Sequence, residues 1–140
     1  MSASGLDRYV EAQEGVYEQA LGELVAGDKR SHWMWFIFPQ IAGLSITSIG
    51  KFYSLADLAE AKAYLAHELL GVRLAECTDT MLGWAGKRKA EAILGVIDAM
   101  KLASSMTLFE AAGGGERFAR ALDEFYGGTR DQLTLDLLAP

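Results

Sequence analysis

Ser31-His32-Trp33-Met34-Trp35-Phe36-Ile37-Phe38-Pro39-Gln40 is the stretch on which the fold turns. It holds two of the three Trp, two of the six Phe and one of the two His of a 140-residue chain. Leaving a Phe-sized side chain in water rather than burying it costs roughly 1.5–3 kcal/mol. These ten residues are therefore either the centre of the core or the wall of a site. As a helix the segment is capped by Ser31 and stopped by Pro39, which lacks an N–H and disfavours helix at Phe38. As a strand, Trp33 to Phe38 has the aromatic and β-branched content a pleated surface favours, but no partner strand lies nearby. The helical reading makes the chain all-α, and a strand here would make it α+β.

Working outward, Leu6, Tyr9, Val10, Val16, Tyr17, Ala20, Leu21, Leu24 and Val25 keep the spacing of one amphipathic helix, and Gly27 suits its C-terminal cap. Residues 40–50 read as a loop. Asp57-Leu58-Ala59-Glu60 has the form of a capping box and opens a helix through Tyr64 and Leu65. Apolar spacing then continues from Leu69 to about Trp84, Gly86 interrupts, and Lys89 to Leu94 fits a short turn. Asp98 is placed to cap a helix to Ala112, Gly113-Gly114-Gly115 breaks it, and a helix through Phe118 and Tyr126 ends at Gly127-Gly128. Asp131 can cap a last one carrying Leu133, Leu135, Leu137 and Leu138. The expectation is all-α: a compact single-domain orthogonal bundle of about seven short helices. The domain is 1–140, with 6–138 as its ordered core.

The apolar fraction of 51% is that of a packed globule. A net charge of −6 argues against general nucleic-acid binding. The cluster Lys87-Arg88-Lys89 reads as a solvated loop. No apolar run reaches the roughly 18 residues of a membrane span, and Met1 to Gly5 lacks the pattern of a secretory leader. One Cys, Cys77, excludes an internal disulfide and fits a reducing, cytoplasmic setting as a small buried hydrophobe. No cofactor motif is present, and two His with one Cys cannot form a common structural zinc site.

What chemistry remains is two constellations. In the first, His32 supplies a group that titrates near neutrality and Gln40 a donor and an acceptor. Trp33 and Trp35, two residues apart, diverge by about 200° on a helix. One then faces the core and the other a second surface, where an indole beside His and Gln suits a ring-containing ligand; the bland alternative puts both in the core. In the second, Asp98, Lys101, Ser104 and Ser105 form a polar row on an otherwise apolar helix, with Lys101 and Ser105 one turn apart. That row suits an anion or a ligand hydroxyl better than Lys–Ser covalent catalysis. His67, at a helix end, reads as a cation meeting the helix dipole.

The decapeptide, then Ala63-Tyr64-Leu65-Ala66-His67 with Leu70-Gly71, Arg73-Leu74 and Glu76-Cys77, then Lys101-Leu102 with Ser104-Ser105-Met106-Thr107-Leu108-Phe109, occur in that order. Together they resemble a bacterial family known as domain of unknown function eighteen-ten, from about Leu6 to Leu138. The resemblance implies a compact helical domain and no assigned activity. Members often carry Pro after the His of the second motif. This chain has Glu68 there, which predicts a more continuous run between the two helices.

The functional expectation is a ligand-binding or regulatory module, its pocket lined by His32, Trp33, Trp35, Gln40, Lys101, Ser104 and Ser105 and suited to a small planar or phosphorylated molecule. The alternatives are an enzyme on a nucleotide or ADP-ribose-like substrate, with His32 as acid or base and Lys101 as anion contact, and a structural or partner-binding domain. No cofactor, metal, nucleic acid or membrane partner is expected, and the oligomeric state is left open.

Overall fold

The computed structural model describes residues 5–139. The leaderless reading of Met1 to Ser4 concerns residues outside that range. Among the described residues there are ten helices: α1 (Asp7–Gln13), α2 (Tyr17–Ala26), α3 (Met34–Ile37), α4 (Ser48–Phe52), α5 (Leu58–Ala66), α6 (Leu70–Leu82), α7 (Ala90–Leu94), α8 (Val96–Ala111), α9 (Glu116–Tyr126) and α10 (Gln132–Leu138). The chain is all-α, and the one β feature among these residues is an isolated parallel bridge between Ile41 and Leu55. Among the described residues no helix is long and apolar enough to cross a membrane.

The decapeptide is helical, as α3, but only for four residues. Phe38 leaves helical geometry ahead of Pro39, as the ring's clash with the preceding residue demands. Ser31 does not cap it; the N-cap is Trp33, with no side-chain bond. The expected helix from Leu6 to Val25 is two. Gly15, at φ +75°, turns the chain between α1 and α2 in a region open cheaply only to glycine. The apolar spacing stays in phase across the turn, so periodicity does not reveal it. Gly27 ends α2 in the left-handed conformation, at φ +69°.

Two short features depart from the expected pattern. Residues 48–52 form α4, capped by Thr47 Oγ1 accepting from Gly50 N at 3.1 Å. The break between α5 and α6 persists despite Glu68, because His67 Nδ1 accepts from Leu69 N (3.1 Å) and Leu70 N (3.2 Å). His67 thus works as an acceptor cap for α6 and not as a cation on the dipole of α5. Asp57 caps α5, its Oδ1 accepting from Glu60 N, while the Glu60 carboxylate reaches back one residue beyond the N-cap, Oε1 accepting from Ala56 N, both at 2.8 Å. Asp131 caps α10 through Thr134 N.

The core is threaded by aromatic contacts that join four helices. Tyr9 of α1 meets Tyr64 of α5 edge-on at 5.2 Å, Tyr64 meets Phe109 of α8 at 5.4 Å, and Phe109 meets Phe118 of α9 at 5.7 Å. Buried Gln13 ties this thread to the decapeptide, donating from Nε2 to Phe36 O (2.8 Å) and the Tyr64 hydroxyl (3.3 Å) and accepting from Arg73 (3.2 Å). Every hydrogen-bonding group of that amide is committed, as burial requires. Trp33, Met34, Ile37 and Phe38 are fully buried against it, so most of the decapeptide is core. Of its partly exposed residues, Trp35 and Gln40 lie toward α8, while His32 faces solvent.

Candidate functional site

The two indoles diverge as their spacing predicts. Trp33 is fully buried and its Nε1 donates to Glu23 Oε1 at 2.9 Å. Glu23 also accepts from Arg30 N (2.8 Å), Ser31 N (2.9 Å) and Ser31 Oγ (2.7 Å). Burial alone would push this carboxyl up; these donors outweigh it and hold it down at about 2. The carboxylate fixes the entry to α3 and, with it, where Trp35 emerges. Trp35 is half-buried, and the ammonium of Lys101 lies over its ring, 5.3 Å from the centroid.

Lys101 belongs to a short run of charges. Lys29 Nζ, on a nearly buried side chain, lies over the Trp33 ring at 4.9 Å, donates to Ser31 O at 2.6 Å and pairs with Asp98 Oδ2 at 2.8 Å. Asp98 Oδ1 then stands 3.7 Å from Lys101 Nζ, one turn further along α8. Asp98 is therefore not the cap of α8, which starts at Val96 after Gly95, but the carboxylate between two ammonium groups. Its close contact is with Lys29; the longer one leaves Lys101 able to bond elsewhere.

Beside Lys101 a groove of about 360 Å³ opens between the 40–45 segment, α8 and the start of α10. Its apolar lining is Leu44, Ile97, Met100 and Leu133, and its polar lining is Gln40, Ser45, Lys101, Ser104 and Asp131. That size and mixture, an apolar surface with a few converging polar groups, is the pattern of a small-molecule site. Ser104 Oγ donates to Asp131 Oδ2 (3.1 Å), an oxygen that also accepts from Thr134 N (3.1 Å) and Thr134 Oγ1 (2.5 Å). The Leu55 N bond to Gln40 O at 2.9 Å holds the Gln40 backbone beside the groove, while its side-chain amide has no protein partner among the described residues.

Of the residues singled out by sequence, Gln40, Lys101 and Ser104 come together in this groove, and Trp35 lies behind it under Lys101. Trp33 and Ser105 do not reach it. The C-terminal half of α8 is enclosed by α5, α9 and α10, and Ser105 is fully buried there, its Oγ without a protein partner. The Lys101–Ser105 pairing therefore does not form a reactive couple. His32 is exposed and is not part of the lining. Asp131 is the functional candidate that sequence reading left as a cap alone. Nothing local links it to Ser104, 27 residues away; its cap signal placed it at the start of α10 without showing which helix that end meets.

A larger open cleft of about 590 Å³ lies between α6 and α9. Two of its four charged groups are spent on each other, Arg117 gripping both oxygens of Asp79 at 2.9 and 3.2 Å, and apart from Leu82 it has little apolar lining. Cys77 is buried, and burial pushes its thiol up to about 12, so it is not a nucleophile. Among the described residues no three of His, Cys, Asp and Glu are grouped so as to hold a metal ion.

A family model described as protein of unknown function (DUF1810) matches residues 3–138. The crystal structure of the conserved hypothetical protein Rv1873 from Mycobacterium tuberculosis is similar throughout: 46% identity, 96% of each chain covered and a TM-score of 0.93. No curated protein matches the chain.

Proposed function

The chain belongs to the DUF1810 family of proteins of unknown function, and on that premise we propose that it is a single-domain, ligand-binding or regulatory module whose site is the groove beside Lys101. The observation that carries this reading is that Gln40 brings an uncommitted side-chain amide, and Lys101 an ammonium held only by a long ion pair to Asp98, to one apolar surface, with Ser104 and Asp131 beside them. Unspent donors and acceptors are costly to cover with apolar groups alone. The ligand favoured is thus a small molecule with an apolar body and polar ends. Trp35 serves the site through the Lys101 ammonium on its ring and not by stacking on the ligand.

The test is a thermal-shift and Trp-fluorescence screen of a metabolite library, with wild type beside Gln40→Ala. A ligand that raises the melting temperature in wild type and much less in the variant supports the site. Hits that act equally on both place the binding elsewhere and sink the proposal.

A second reading is favoured by the rim. Val96, Ile97, Met100 and Leu133 are each about two-thirds exposed, and exposed apolar groups that adjoin a groove also mark protein-binding surfaces. Mass that rises with concentration, and falls on Met100→Glu, would favour that reading over a small ligand.

A further inference from the structure

The two charged groups of the groove have unequal commitments. Lys101 Nζ has no partner at hydrogen-bond distance among the described residues; its nearest carboxylate oxygen, Asp98 Oδ1 at 3.7 Å, belongs to a group held more closely by Lys29. The Asp131 carboxylate takes its hydrogen bonds, from Ser104 and Thr134, on Oδ2, leaving Oδ1 to accept. Ser104 lies three residues beyond Lys101 on α8 and holds Asp131 at the same groove, so one lining carries an ammonium and a carboxylate. Asp98 is shared behind the groove, closely with Lys29 and at longer range with Lys101, and the groove lining itself presents one positive and one negative group, Lys101 and Asp131.

A simple organic anion would satisfy Lys101 and be repelled by Asp131; a simple amine would do the reverse. A neutral apolar molecule would desolvate both charges and pair neither, which is the costly outcome. From this complementarity we infer that the groove takes a zwitterion of the free apolar α-amino acid type, its carboxylate on Lys101, its ammonium on Asp131 Oδ1, and its side chain on Ile97, Met100 and Leu133. Gln40 offers a donor to the same carboxylate. The inference rests on the groove reading above and narrows its ligand class.

Calorimetric titration of the full chain with L-phenylalanine, hydrocinnamate (no ammonium), phenethylamine (no carboxylate) and phenethyl alcohol (neither) tests it. The variants are Lys101→Met, which keeps the apolar stem, and Asp131→Asn, which keeps an acceptor at the α10 cap. Circular dichroism confirms that both fold. L-phenylalanine is expected to bind, with each singly charged analogue at least about tenfold weaker, the ratio that one charge-assisted hydrogen bond supplies. Lys101→Met should erase its advantage over phenethylamine, and Asp131→Asn its advantage over hydrocinnamate. Hydrocinnamate or phenethylamine binding as tightly as L-phenylalanine, or variants that weaken all probes alike, would overturn the zwitterion while leaving a ligand groove. Binding by none of the four would overturn the groove reading as well.

Discussion

The ammonium of Lys101 stands 5.3 Å from the centre of the Trp35 ring, so the groove's cation and the indole behind it form one unit. A ligand anion that draws Lys101 forward must change the field at that ring. Lys101→Met should therefore shift Trp emission in the wild-type background and leave a Trp35→Phe background unchanged, since Trp33 and Trp84 have their own cations, Lys29 and Arg88. Stability should change by less than ~1 kcal/mol, because the ion pair to Asp98 is long and partly solvated. Emission that responds equally in both backgrounds would separate Lys101 from Trp35.

Glu23 predicts a pH dependence. Its carboxyl is held at about 2 in the folded chain against an ordinary value of 4.5. A lowered folded value means that the unfolded chain binds the proton more readily. The contribution is thus present in full above 4.5 and is lost as pH falls from there toward 2. At about 1.4 kcal/mol per pH unit the full effect is ~3 kcal/mol, and partial exposure of the carboxylate reduces it to ~2 kcal/mol. Urea melts should show Glu23→Gln destabilised at neutral pH, with the gap narrowing below pH 4.5 and closing only as pH approaches 2. A gap that stays constant through this window would show that the four donors do not depend on the charge.

How much of this was legible in the sequence differs between elements and site. The helix content, the cap at Gly27, the cap at Asp57 and the cap at Asp131 follow from local chemistry, and each is seen. The turn at Gly15 was hidden because α1 and α2 share an apolar phase. The end of α3 was legible through Pro39 but its start was not, since Ser31 does not cap it, and Trp33 and Trp35 could be assigned to opposite surfaces without saying what each surface was. The site is harder still. Gln40, Lys101 and Asp131 come from three distant segments, and only the packing of α10 on α8 brings the last of these beside Ser104. Ser105 was misplaced by treating α8 as one-faced, when its second half is buried all round.

Gly71, within the motif that carried the family resemblance, has a steric reason. A Cβ there would lie 2.2 Å from Leu65 O and 3.0 Å from Leu65 C, both backbone atoms of α5 that cannot rotate away. Gly71→Ala must move α6 off α5, at a cost of ~3 kcal/mol by the usual penalty for overpacking. Gly22→Ala is the matched control. It lies inside α2 with nothing within 4 Å of the added carbon, and helix propensity predicts a gain of ~0.5–1 kcal/mol. Denaturant midpoints moving in opposite directions support both assignments; equal losses would point to a general intolerance of Ala.

His67 separates two physical accounts of one helix junction. If it served as a cation on the C-terminal dipole of α5, Lys would replace it without loss. The structure instead makes Nδ1 an acceptor for the amides of Leu69, the residue before α6, and Leu70, its first residue, neither of which has a partner within that helix. An acceptor is then what the position needs, and Lys has none. His67→Ala and His67→Lys should each cost ~1 kcal/mol, as losing an N-cap does, while His67→Asn should recover most of it because its side-chain oxygen can take the same amides. Thermal melts of the three variants decide the matter. Stability ordered Asn above Lys and Ala assigns the cap, and Lys matching wild type would return the residue to the dipole.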